Sequence, residues 1–264
     1  HYMPVSAEDD LPESLEGAVL SLADKMDTVV GFFGIGSPVS GTSDPFGMRR
    51  RAIGILRVLL AKNLEVSLPE WVGKGLEVLG GLVKKEPEAV RQEVVDFFRL
   101  RYQQWLLAKG FPHDTIEAVI SRSFENVPDL YRRVEILHKM RSEPDFENLI
   151  LGCKRAVNIL QQAEKDYGYA GPDKPLRVED LEEEAEKELL ACTEQVGSEL
   201  ARLGSGEYEK VLQGLVGLKG PIDRLFDDVM ILVDDERTRK NRLNLLKKVS
   251  DLFQWFADFS RISL

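Results

Sequence analysis

The sequence predicts an all-α fold, a multi-helix elongated assembly that ends in a five-helix bundle. Three observations carry this. Nearly every segment of the 264 residues repeats its apolar positions with the 3.6-residue helical period, and almost none alternates strictly. Helix punctuation recurs, with Asp44, Ser67 and Asp114 where an N-cap belongs and Pro45, Pro87 and Pro128 where a first turn begins. The composition, 43% hydrophobic and 30% charged, is that of an ordinary soluble globular chain.

The first long helix is expected from Ser14 through Phe33. A second should run from Pro45 to about Asn63. Asp44 is its expected N-cap, and Pro45 at the first helical position has no N–H to leave unpaired. Ile53, Leu56 and Leu60 are expected on its buried face. After a short link over 64–68, Ser67 caps a helix with Pro69 near its start and Trp71, Leu76, Leu79 and Val83 on one side. Pro87 opens the next, to Lys109, with Val90, Val94, Phe97, Phe98, Tyr102, Trp105 and Leu106 as its apolar stripe. Gly110 ends it. Asp114 caps 115–122, and Pro128 starts a helix to about Met140. Ser142-Glu143-Pro144 opens one through Gln162. The segment 166–177, DYGYAGPDKPLR, is the most loop-like in the chain. Helices follow at about 178–203, closed by Gly204-Ser205-Gly206, at 207–217, from Gly220-Pro221 to near Met230, and from about Asp235 to Phe259. Three blocks emerge: 1–63, a helical connector over 64–141, and a compact five-helix unit over 142–264. No repeat with a period of 33–47 residues is evident, which disfavours a solenoid.

Charge and composition exclude several function classes. A formal net charge of −10 argues against non-specific coating of nucleic acid but permits a local basic patch. Acid concentrates in 179–188, where Glu179, Asp180, Glu182, Glu183, Glu184, Glu186 and Glu188 face one Lys187. Base concentrates in 237–248, as Arg237, Arg239, Lys240, Arg242, Lys247 and Lys248 with no acid among them. No apolar run approaches the roughly 20 residues that span a bilayer. The start, HYMPVSAEDD, has neither an initiator Met nor a signal-peptide core and reads as a cut-out from a longer protein. Cys153 and Cys192 sit in amphipathic stretches and read as buried free thiols, in keeping with a cytosolic composition. His1, His113 and His138, scattered among two distant cysteines, offer no zinc-ligand spacing.

Candidate chemistry is sparse. Asp24, in a helix with Lys25 and Asp27, has the context of the last metal ligand of an HD-type phosphohydrolase. That chemistry also needs an upstream His and a His-Asp pair, and His113-Asp114 reads as a helix cap; no metal is supported. The glycine-rich stretch 34–41 lacks the Gly-Lys-Ser/Thr ending of a phosphate loop and follows a helix. The basic run opens the last helix. Leu245, Val249, Leu252, Phe256 and Phe259 mark a buried face, Lys240 and Lys247 lie opposite it, and Asn241 and Arg242 lie near its edge. Either this is a solvated helix face, or Arg237, Arg239, Lys240, Asn241 and Arg242 contact phosphates or bases, helped by the positive helix start. Arg224, Lys154, Arg155 and Asn158 are further candidates. Phe226, Tyr208 and Tyr167 are the aromatics that either stack on unpaired bases or pack the core.

Three ordered blocks resemble one family. They are residues 22–58, LADKMDTVVGFFGIGSPVSGTSDPFGMRRRAIGILRV; 152–160, GCKRAVNIL; and 226–262, FDDVMILVDDERTRKNRLNLLKKVSDLFQWFADFSRI. The chain is similar to the C-terminal part of the bacterial glycyl-tRNA synthetase β subunit. The resemblance implies the end of an HD-like helical domain over 1–63, the connector, and a DALR-type anticodon-binding domain over 142–264. It further implies a cytoplasmic α2β2 enzyme. In it the α subunit carries ATP- and Mg-dependent glycylation, while the β subunit holds tRNA(Gly) and reads its anticodon. The nine residues Arg237, Arg239, Lys240, Asn241, Arg242, Arg224, Lys154, Arg155 and Asn158 become the expected tRNA contacts. No catalytic residue, metal or cofactor is expected in this chain, and no membrane. The competing readings are an HD-type metal phosphohydrolase fragment and a non-enzymatic helical scaffold for a protein partner.

Overall fold

The computed structural model describes residues 2–6, 9–36, 44, 46–202 and 207–264. His1, residues 37–41 of the glycine-rich stretch, Pro45 and the Gly204-Ser205-Gly206 break lie outside the described residues. Among the described residues there are eleven α-helices and no strand. None of these helices is long and apolar enough to cross a membrane. The chain divides into two compact units, His1–Ile116 with Ser123–Arg132, and Glu117–Arg122 with Arg133–Leu264.

In the first unit, α1 (Leu15–Gly34) starts where the sequence demands. Ser14 Oγ accepts the Gly17 N–H at 3.0 Å, and Ala18, Leu22, Met26, Val29 and Phe33 form a buried stripe. The stripe packs against α2 (Met48–Ala61), α3 (Leu68–Leu79) and α4 (Pro87–Ala108). Ser67 caps α3 and Pro87 opens α4, both as expected. The start of α2 differs. Gly47 takes a left-handed conformation, φ +68°, so the helix begins at Met48 rather than Pro45. Asp44 serves from farther out, its Oδ1 accepting the Arg49 N–H at 3.3 Å. The buried face of α2 is also wider than expected. α1 and α4 both cover it, so Ala52, Ile55, Leu56, Val58 and Leu59 are buried while Ile53 and Leu60 are half-buried. On α4, Phe98, Tyr102 and Leu106 are fully buried, and Tyr102 OH donates to the Val127 carbonyl at 3.1 Å.

α5 (His113–Ile120) begins two residues before its expected start, with Asp114 inside the first turn accepting the Thr115 N–H at 2.8 Å. α6 (Val127–Met140) is capped by Asn126, whose Oδ1 accepts the Asp129 N–H at 3.1 Å.

The second unit contains the five expected helices, α7 (Phe146–Tyr167), α8 (Glu184–Arg202), α9 (Tyr208–Gly217), α10 (Lys219–Asp228) and α11 (Glu236–Phe256). α7 begins later than expected and runs five residues past its expected end, closing at Gly168 with φ +67°. α8 starts six residues later than expected, because Val178–Asp180 closes a 3-10 turn and Glu186 fixes the helix start. Its Oε2 accepts the N–H groups of Glu182 and Glu183 at 2.8 and 2.9 Å. α11 is the central element and packs on α7 and α8. Residues 241–246 are buried all round, so this stretch has no solvent face. Leu245, Val249 and Phe256 are buried as expected, whereas Leu252 is half-buried and Phe253 takes its place. Cys153 is buried and free, and burial pushes its thiol pKa up. Cys192 is free and half-buried, more open than expected.

Candidate nucleic-acid interface

The acidic and basic runs, separate in sequence, meet in space. Asp180 binds Arg237 through both carboxylate oxygens, with one contact at 2.8 Å. Glu186 binds Arg242, Glu188 binds Arg224, and Glu194 binds Lys248. The basic run is therefore not an open cationic face.

Arg242 is the clearest departure. Its side chain is 9% exposed and that of Glu186 1%. The guanidinium donates to Glu186 at 2.7 Å and to the Met230 carbonyl at 2.8 Å. Since Glu186 also holds the start of α8, Arg242 is bonded into the packing of α11 on α8. Asn241 is likewise interior, 5% exposed. Its amide makes a two-way bridge to Arg177, accepting the N–H and donating to the C=O, both at 2.9 Å.

The outward cations surround an open cleft of about 550 Å³ between the start of α11 and the 168–177 loop. Arg237 and Lys240 line it from the helix, and Lys174 and Arg177 from the loop. Asp173, Asp180, Asp235 and Glu236 share the same walls, so four cations face four carboxylates. Lys240 contacts Glu236 at 2.9 Å and Asp173 at 3.4 Å, and these hydrogen bonds hold its pKa above the ordinary lysine value. The Arg237 guanidinium holds the Asp180 carboxyl below the usual carboxylate range. Asp235 caps α11, accepting the Thr238 N–H at 2.8 Å, and that bond lowers its pKa. Next to this cleft, Arg239 donates to the carbonyls of Val233 and Asp234 at 2.7 and 2.9 Å. Its guanidinium carbon lies 4.2 Å from the centre of the half-exposed Tyr167 ring.

The remaining candidates lie elsewhere. Lys154, Arg155 and Asn158 are on the stretch of α7 that packs toward the C-terminal half of α11. At about 1.5 Å per residue, Lys154 and Arg155 sit ~20 Å and Asn158 ~14 Å along α7 from Tyr167. Arg155 covers Phe226, 4.3 Å from its ring centre, and Phe226 is 9% exposed. Tyr208 is buried against Phe256. Of the three aromatics, only Tyr167 offers an open ring. Sequence reasoning missed Lys174 and Arg177. Their loop was visible from its Gly and Pro content, but no local spacing ties it to α11.

In the first unit, Asp24 pairs with Arg51 at 3.6 Å. Among the described residues, no group of three or more His, Cys, Asp or Glu side chains converges where a metal ion would bind. Lys25 is buried instead, donating to the carbonyls of Tyr2 and Met3 and to Ser21 Oγ, and desolvation lowers its pKa.

Residues 1–121 match the family model described as glycyl-tRNA synthetase beta subunit, and residues 149–256 match the DALR anticodon binding domain. The glycine–tRNA ligase beta subunit of Syntrophus aciditrophicus is 36% identical over 262 residues, covering 99% of this chain and 37% of the relative. That of Syntrophotalea carbinolica is 38% identical over 264 residues, covering 100% and 37%. The chain thus spans little more than a third of the length of the curated relatives it matches. Because the two domain matches fall one in each half of the chain and each relative aligns across both, the chain belongs to the glycyl-tRNA synthetase β-subunit family.

Proposed function

We propose that this chain is a tRNA-binding portion of the β subunit of glycine–tRNA ligase. On this reading it holds tRNA(Gly) while a partner α subunit performs ATP-dependent glycylation in an α2β2 assembly in the cytoplasm. The observation that carries the reading is the coincidence of two features. The DALR match covers the five-helix unit, and that unit presents a cleft lined by Arg237, Lys240, Lys174 and Arg177 beside an open Tyr167 ring. An anticodon loop supplies what such a surface takes, unpaired bases for stacking and backbone phosphates for the cations. The chain itself contributes no catalytic residue. Of the five expected contacts on α11, Arg237, Arg239 and Lys240 border the cleft or the hollow next to it, and Asn241 and Arg242 support them from within.

The test is a titration of the 264-residue chain with tRNA(Gly) and with a tRNA(Gly) of altered anticodon, each at two salt concentrations. Tighter binding to the native anticodon is expected. Equal, strongly salt-dependent binding would make this a backbone clamp without anticodon reading. Binding to neither RNA would overturn the proposal.

A further inference from the structure

Residues 168–177 have no regular structure, yet two buried side chains of α11 hold their backbone. Asn241 bridges both the N–H and the C=O of Arg177 at 2.9 Å. Asn244, one turn on and 7% exposed, donates to the Lys174 carbonyl at 3.1 Å and accepts from Tyr169 OH at 2.9 Å. The i, i+3 spacing puts both amides on one helix face, so they hold the loop as a pair. Buried amides with matched partners fix geometry strongly, since stripping one leaves a desolvated polar group.

The loop so held carries the least committed cations of the cleft. Among the described residues the side-chain ammonium of Lys174 makes no hydrogen bond or ion pair, its backbone carbonyl alone being held by Asn244. Arg177 reaches Glu179 and Asp180 only at 3.9 and 4.0 Å. Arg237 and Lys240, across the cleft, are each already bound to carboxylates. An incoming anion therefore meets Lys174 and Arg177 first, without displacing a close ion pair.

We propose that residues 168–177 form a preorganised clamp for RNA phosphates, with Lys174 and Arg177 as the contacts and Asn241 and Asn244 as their positioning residues. The inference rests on the tRNA-binding reading above and assigns roles that the charge run on α11 does not contain.

The experiment compares tRNA(Gly) binding by the unmodified chain, by Lys174→Ala/Arg177→Ala and by Asn241→Ala/Asn244→Ala over a salt series. The charge-removal pair should weaken binding about tenfold and flatten the slope of log affinity against log salt by roughly 1.4, at 0.7 per single-strand contact. The asparagine pair should flatten the slope equally although it removes no charge. Adding the charge removal to the asparagine pair should cost nothing more. If the asparagine pair does not fold, Asn241→Asp takes its place, keeping the acceptor for the Arg177 N–H and losing the donor to its carbonyl. If the unmodified chain binds and the charge-removal pair matches it in affinity and slope, the contact assignment is wrong. If a folded asparagine variant keeps the original slope, the positioning assignment is wrong. Absence of binding by the unmodified chain overturns the tRNA reading itself, and the clamp with it.

Discussion

Arg242 illustrates how far a single residue's role depends on what lies opposite it. In the sequence it is one of six cations in a run, and an outward contact is a natural reading. In the fold its guanidinium is buried between Glu186 and the Met230 carbonyl. Removing one member of a buried pair strands the other charge, a cost of about 3–5 kcal/mol. Arg242→Ala is therefore expected to destabilise the chain by that order in urea denaturation. The double variant Arg242→Met/Glu186→Gln should recover most of the loss, because a Gln carbonyl can still accept the N–H groups at the start of α8 while no charge stays unpaired. A loss below about 1 kcal/mol for Arg242→Ala would mean that the pair is hydrated and not structural. Charge-removal studies of RNA binding are thus cleaner at Lys174 and Arg177 than at Arg242, where loss of fold and loss of contact are mixed.

At the scale of elements, the strapped 168–177 loop has a pH signature. Burial, reinforced by the carboxylates of Asp251 and Asp173, pushes the Tyr169 phenol from 10.0 up to about 12. Between these values the folded chain keeps a proton that the unfolded chain loses, so stability is full below pH 10 and falls as pH rises toward 12. Ionisation also removes the donor to Asn244. Tyr169→Phe should therefore lose less stability than the unmodified chain over this interval, measured as urea midpoints at a series of alkaline pH values. Identical losses in both proteins would show that the phenol is not coupled to the loop. Helix existence was legible throughout because caps and periodicity are local: Ser14, Ser67, Pro87 and Asp235 all act where the sequence points. Starts failed where a competing residue decided, Gly47 at α2 and Glu186 at α8. The loop's strap was not legible, since Asn241 and Asn244 on a helix edge look the same whether they face water or a backbone.

For the whole molecule, the informative contrast is between charge order along the chain and charge order in space. The acidic and basic runs lie about fifty positions apart, yet four carboxylates of α8 and its approach pair with cations of α10 and α11. Such pairing depends on tertiary packing, so the sequence showed the two runs but not their neutralisation. Its expected consequence is that salt acts differently on folding and on the proposed RNA binding. Exposed pairs contribute little each and are screened readily, while the buried core and the Arg242–Glu186 pair are shielded from ions. Screening also relieves the self-repulsion of a chain with net charge −10, which offsets the weakened pairs. Raising NaCl from about 0.05 to about 0.5 M should change the unfolding free energy by less than about 2 kcal/mol. Over the same range tRNA(Gly) affinity should fall at least about 25-fold, the effect of two single-strand phosphate contacts over a tenfold change in salt. Denaturation and binding measured on the same samples separate the two effects. A large loss of stability with salt would mean that the exposed pairs between α8 and α11 hold the second unit together. A salt-independent affinity would mean that stacking on Tyr167, and not the cations of the cleft, retains the RNA.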